Sequence, residues 1–200
     1  MSEDRSPRIG PGGAREIGLV NATIVKLIGI SLGRSEPLNL FSTLARHRRL
    51  FRRWLRFAAA LMPGGRLPRQ DTELLILRVA HNTGCDYEWS HHEHLARQAG
   101  LTEQEIARVP DGPPAPGWSP RRAALLSAAD ELHGERRIGD ELWGRLRAQL
   151  DEPQLIELCM LVGHYEMLAM TLNSLQVQPD LTTNHRPARA MRLLRARRGD

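Results

Sequence analysis

The stretch Glu73-Leu-Leu-Ile-Leu-Arg-Val-Ala-His-Asn-Thr-Gly-Cys85-Asp-Tyr-Glu88-Trp-Ser-His-His92 decides how the rest of this chain is read. Its first half predicts a helix with Leu74, Leu75, Leu77, Val79 and Ala80 on the apolar side, opened by Pro68 as its first residue. Asn82-Thr83-Gly84 interrupts that helix, and a second begins at about Cys85. It runs to Ala99 and ends on Gly100, a position suited to a left-handed cap.

On this second helix Cys85, Glu88 and His92 are spaced i, i+3, i+7 and share one face. Cys85 falls in the first turn, where unpaired amides and the helix dipole favour a thiolate. Glu88 and His92 are one turn apart, close enough for a hydrogen bond that orients the imidazole and raises its basicity. A thiol, a carboxylate and an imidazole on one stripe suit proton transfer or nucleophilic chemistry. The plainer readings are a surface Glu–His contact and a cysteine buried as a small apolar residue. His81, His91, His92 and His94 do not read as a metal site. Adjacent helical residues point about 100° apart, and no His-Glu-x-x-His or cysteine-rich spacing accompanies them.

Outward from this centre the chain reads as helices throughout. Apolar residues recur at helical spacing from Pro37 to Met62, and Pro63-Gly64-Gly65 stops them. Thr102-Glu103-Gln104-Glu105 has the form of a capping box for a short helix to about Arg108. Pro110 to Gly117 is a loop; Ser119-Pro120 opens a helix to Leu132, and Asp140 to Leu150 forms another. Asp151-Glu152-Pro153-Gln154 starts the last, whose apolar residues from Leu155 to Leu175 lie nearly all round, the mark of a buried central element. No stretch alternates with period two for long enough to argue for strands.

With 41% hydrophobic and 26% charged residues, the 200-residue chain can bury one core of ordinary size. Two cysteines, Cys85 and Cys159, are too few for a disulfide framework, and no secretory signal is expected before the first apolar stretch, because Met1 to Glu16 is polar; a soluble, cytoplasmic protein is expected. The apolar run Ile17 to Leu32 is broken by Asn21 and Lys26 and falls short of the ~20 residues of a bilayer span, so no membrane partner is expected. The net charge of +5 resides in residues 185–200, which hold six arginines and one acid. A basic end of this kind is read as a solvated tail, with a docking arm for an acidic partner or a nucleic acid as the alternative; a nucleic-acid partner is not the expectation. The resulting division is a flexible segment over 1–36 with a possible short helix, a helical domain over 37–180, and a basic flexible tail over 181–200.

The stretch from Glu73 to His92, followed by Leu95-Ala96-Arg97-Gln98-Ala99-Gly100-Leu101, resembles the carboxymuconolactone decarboxylase family, which includes alkylhydroperoxidase-D-like proteins. The resemblance covers about 60 to 180, with Glu157-Leu158 and Val162-Gly163-His164-Tyr165 on the last helix. It implies an all-α helical bundle assembled into a homotrimer or hexamer; no cofactor is expected. In the redox branch a Cys-x-x-Cys pair works with an upstream glutamate and a histidine four residues after the second cysteine. Here those positions are Glu73, Cys85 and His92, and Glu88 stands where the second cysteine would be. In the decarboxylase branch that position resembles a glutamate followed by a histidine four later, which Glu88 and His92 supply.

The resemblance therefore implies an enzyme acting by acid–base chemistry on a small carboxylated or lactone substrate. Glu88 and His92 would be the acid–base pair, Glu73 would orient or polarise, and Cys85 would line the pocket. Arg78 or Arg69 would hold a substrate carboxylate, with His164 and Tyr165 reaching in from the last helix. The alternatives are a peroxidase-like activity through Cys85, needing an external thiol, and a non-enzymatic oligomeric binding module of the same fold.

Overall fold

The structure, a computed structural model, describes residues 6–180. The chain forms helices α1 (Ala14–Ile17), α2 (Leu19–Ser31), α3 (Asn39–Leu44), α4 (Arg48–Leu61), α5 (Arg69–Asn82) and α6 (Asp86–Ala99), then α7 (Glu103–Arg108), α8 (Pro120–Glu135), α9 (Asp140–Arg147) and α10 (Glu152–Leu175). A 3-10 turn, Val109–Asp111, follows α7, and no strand occurs among the described residues. The fold is all-α, as the periodicity predicts. The arginine-rich stretch 185–200 lies outside the described residues.

The centre of the bundle is α5, not α10. Asp71 to Leu77, Val79 and Ala80 are all buried, so α5 is enclosed on every side, and it packs against α6, α8 and α10. Burying leucines such as Leu74 and Leu75 completely contributes roughly 1.5–3 kcal/mol each. α10 buries Leu155, Leu158, Leu161, Val162, Leu168 and Leu172 but leaves Ile156, Met160, Met167 and Met170 exposed on the opposite side. The expectation of a helix buried all round is thus corrected: its apolar residues form one covered face and one open stripe. Among the described residues, α10 alone has the length and composition to cross a membrane, and 56% of that window is buried inside the protein.

Local signals fix the chain's turns where the sequence places them. The capping box expected at Thr102 forms, Thr102 accepting from the Glu105 amide, and a second forms at Asp151, which accepts from the Gln154 amide. Gly100 takes φ +96° at the end of α6, a left-handed conformation that a side chain would strain. Pro68 sits one residue earlier than predicted, as the N-cap of α5. The apolar run expected as one helix from 37 to 62 is two. Ala45 to His47 separate α3 from α4, and the Asn21 amide donates to the Ala45 and Arg48 carbonyls across the break. Within 1–36, α1 and α2 pack on α3 and α4 through Ile17, Val25, Ala45 and Phe51.

The loop joining α4 to α5 is held from below by Glu157 of α10. Its carboxylate accepts from the amides of Arg66 (2.5 Å) and Leu67 (3.1 Å). A Cβ at Gly65 would collide with that carboxylate and with the Leu61 carbonyl, so this close approach requires glycine. The anchor sets where α5 begins, and α5 carries Glu73.

Candidate active site

The turn over Asn82-Thr83-Gly84 reverses the chain, and the Cys85 amide donates back to the Ala80 carbonyl at 2.9 Å. α5 and α6 therefore run antiparallel and side by side, which brings Glu73 on α5 against His92 on α6. Glu73 Oε2 lies 2.7 Å from His92 Nδ1, and Glu88 Oε2 lies 3.2 Å from His92 Nε2. All three side chains are 3% exposed or less.

Each ring nitrogen of His92 faces a carboxylate, and a neutral imidazole carries only one N–H. The arrangement is satisfied when the ring is an imidazolium or when one carboxyl is protonated. Burial alone would lower the histidine pKa. The hydrogen bonds to Glu73 and then Glu88, reinforced by their charges, override it and raise the pKa from 6.5 to about 9. Both outer carboxylate oxygens lack a hydrogen-bond partner among the described residues. Glu88 Oε1 is buried and unsatisfied. Glu73 Oε1 has the Arg69 guanidinium 2.7 Å away in an ion pair off the hydrogen-bonding direction. The cluster pairs two carboxylates with one imidazolium and one guanidinium, so it is close to neutral as a whole.

Tyr165 of α10 closes the cluster. Its ring meets His92 edge-on at 5.1 Å between centroids, and among the described residues its hydroxyl reaches only the Met62 sulfur at 3.8 Å. Burial, followed by the charges of Glu88 and Glu73, raises its pKa well above 10, so the phenol remains a neutral donor. His164, the preceding residue, is enclosed by Trp54 (6.1 Å) and Phe57 (5.3 Å) of α4. Burial lowers its pKa to about 4 and keeps it uncharged.

Two expectations for the site are corrected. Cys85 is the N-cap of α6, not part of its first turn, and it is completely buried. Loss of water outweighs the backbone amides of Glu88 and Tyr87 and pushes its pKa up to about 12, so it stands as a thiol, not a thiolate. Arg78 is engaged elsewhere. Its guanidinium forms a two-pronged pair with Asp130 (2.6 and 2.8 Å) and donates to the Val109 and Pro110 carbonyls. It ties α5 to α8 and to the turn after α7, which leaves Arg69 as the arginine in contact with the cluster.

The sequence reading missed Arg34. This linker residue between α2 and α3 contributes, with His92 and Arg69, to holding the neighbouring His91 neutral; burial is the first cause, and the pKa falls to about 3. No spacing signal joins a linker residue to a helix 57 positions later. No group of three metal-ligating side chains occurs among the described residues.

The sequence profile of the carboxymuconolactone decarboxylase family matches residues 48–131. The matched segment runs from the start of α4 into α8 and contains Glu73, Cys85, Glu88 and His92; the α10 residues Tyr165 and His164 lie beyond it.

Among curated proteins, the uncharacterized protein YdfG of Bacillus subtilis (strain 168) is 31% identical over 97 residues, covering 48% of this chain and 66% of that protein. The match thus spans slightly under two thirds of that relative. A peroxidase-related protein from Ralstonia eutropha JMP134, described as an alkylhydroperoxidase AhpD core, superposes with a TM-score of 0.75 at 17% identity, covering 88% of this chain and 94% of its own. The debrominase Bmp8 superposes with a TM-score of 0.72 at 14% identity, covering 86% and 91%. At such identities these structures establish a shared fold: the segment that matches the carboxymuconolactone decarboxylase profile lies inside an alkylhydroperoxidase-D-like helical bundle.

Proposed function

We propose that this protein is an enzyme of the carboxymuconolactone decarboxylase type, acting by proton transfer on a small carboxylated or lactone substrate. The observation that carries this reading is the buried Glu73–His92–Glu88 array with one Glu88 oxygen unsatisfied. In a decarboxylation the bond to the carboxylate breaks, carbon dioxide leaves, and the electron pair remains as a conjugated enolate. The carbon must then receive a proton. His92, held as imidazolium near neutral pH, is the proton store, and Glu88 is the relay that passes the proton to substrate. Glu73 fixes the imidazole ring, and Arg69 balances Glu73 and offers a cation to the substrate carboxylate. Tyr165 supplies a neutral hydroxyl to the developing enolate oxygen.

A peroxidase reading through Cys85 finds less support, because a buried thiol with a pKa near 12 is a poor nucleophile and Glu88 cannot close a disulfide. One observation favours a non-catalytic role: the three central side chains are almost wholly covered, as in a structural ion-pair network. An unbiased metabolite-depletion assay, with the purified protein beside Glu88→Gln, separates the two. Depletion of a carboxylated or lactone compound by the wild type alone supports the enzyme. Equal behaviour of the two, with both folded, supports the structural role.

We also propose that the chain is a homo-oligomer, a trimer or hexamer, and works in the cytoplasm, where both free cysteines stay reduced. The open stripe on α10 supports self-association. Ile156, Met160, Gly163, Met167 and Met170 recur at alternating steps of four and three, the spacing of a helix–helix seam.

A further inference from the structure

The charge that sums to nearly zero before the tail is not evenly spread. Residues 37–70 contain Arg46, Arg48, Arg49, Arg52, Arg53, Arg56, Arg66 and Arg69 and not one acid. The compensating acids lie almost entirely in residues 71–184. The basic stretch is focused on α4, whose sequence is RRLFRRWLRFAAAL. Phe51 and Leu61 are buried and Trp54 packs on Phe41, Phe51 and His164, whereas Leu50 and Phe57 remain exposed at the edge of the arginine face. Arg49, Arg52, Arg53 and Arg56, at i, i+3, i+4 and i+7, are all exposed and line a surface cleft of about 300 Å³.

None of these four guanidiniums has a carboxylate or carbonyl partner among the described residues. Elsewhere the protein pairs its arginines: Arg78 with Asp130, Arg97 with Glu93 and Glu103, Arg121 with Asp71, Arg122 with Glu105. Four unpaired like charges within two turns repel one another, and an external polyanion relieves that repulsion.

We infer that the outer face of α4 is a sequence-independent binding surface for the phosphate backbone of duplex nucleic acid. Arginine matches phosphate oxygens two at a time. From Arg49 to Arg56 the helix rises about 10 Å, which faces about three phosphates of one strand. The face carries no Asn, Gln, Ser or Thr to read base edges, so backbone contact is all that it offers. A membrane fits less well, because an interfacial helix gives its whole apolar side to lipid, whereas α4 buries Phe51 and Leu61 and packs Trp54 inward, leaving Leu50 and Phe57 as its exposed large apolar residues. This surface is separate from the acid–base cluster, and it reverses the expectation, drawn from the tail alone, that nucleic acid is not a partner.

The test is fluorescence anisotropy of a short labelled DNA duplex with the full-length chain, between about 50 and 200 mM salt. The wild type is expected to bind two unrelated duplex sequences equally. The variant with Arg49, Arg52, Arg53 and Arg56 all changed to Gln is expected to bind at least tenfold more weakly at the lower salt. Its log–log salt slope should be shallower by about 3, because each neutralised phosphate contributes about 0.9. The double variant Arg49→Gln/Arg56→Gln, which leaves the packed side of α4 untouched, should lose about half of that slope. Unchanged affinity and slope in the two variants would overturn the inference. So would a loss of oligomer mass in the free variants, which would make the cleft a contact between copies, or retention by anionic vesicles without binding to the duplex.

Discussion

Two histidine–carboxylate contacts in this protein have the same length and different surroundings. His92 Nδ1 lies 2.7 Å from Glu73, and His133 Nδ1 lies 2.7 Å from Glu166. The His133 side chain is 37% exposed and meets one carboxylate, whereas His92 is 3% exposed and meets a second, Glu88, through its other nitrogen. Water screens the first pair and competes for its hydrogen bond; it is excluded from the second. Distance alone does not mark a site. Enclosure, and a carboxylate on each ring nitrogen, hold His92 as an imidazolium near neutral pH.

The largest break in this comparison comes from removing each histidine. His92→Ala leaves two buried carboxylates facing each other without a cation between them. Denaturant unfolding should register a loss of about 3–5 kcal/mol. His133→Ala should cost less than about 1 kcal/mol. Equal losses at the two positions would erase the distinction. On the chemistry, Glu88→Gln should keep the fold and lower turnover of the substrate found by roughly 10²-fold or more, with His133→Ala unaffected.

pH sharpens the same contrast. The His92 pKa is raised on folding, so its stabilisation is complete below the unfolded value of 6.5 and is lost as pH rises through about 9. That loss is on the order of 3 kcal/mol. Unfolding free energies measured across this window should fall in the wild type and in His133→Ala, and stay flatter in His92→Ala. A smaller effect separates the thiol from the imidazole. Native Cys85 should resist alkylation at pH 8 and react only on unfolding, since burial holds its pKa near 12. Dithiol-coupled peroxide consumption abolished by Cys85→Ser would contradict that. At the surface, Met160→Glu with Met167→Glu should reduce the mass seen by light scattering while circular dichroism stays unchanged.

Much of this site is legible in the sequence because it rests on local spacing. Glu88 and His92 are one turn apart on a helix whose start and stop are written in Asn82-Thr83-Gly84 and Gly100, and both signals hold. Glu73 enters through the family resemblance, since only a hairpin of two helices brings it opposite His92. What the sequence misreads depends on distant partners. The helix dipole gives one influence on Cys85, and the desolvation that outweighs it comes from packing. Arg78 looks available until Asp130, 52 positions away, is seen to hold it. The apolar surround of α10 cannot tell which side the bundle covers. The arginines of α4 are plain in the sequence, but their gathering on one outward face depends on Phe51 and Trp54 turning inward.

The most direct test of the central claim is an NMR titration of the His92 ring protons in the folded protein. The wild type should show a midpoint near pH 9, falling when Glu73→Gln or Glu88→Gln removes one of the flanking charges. A wild-type midpoint at or below the ordinary value of 6.5, unmoved by either substitution, would contradict it.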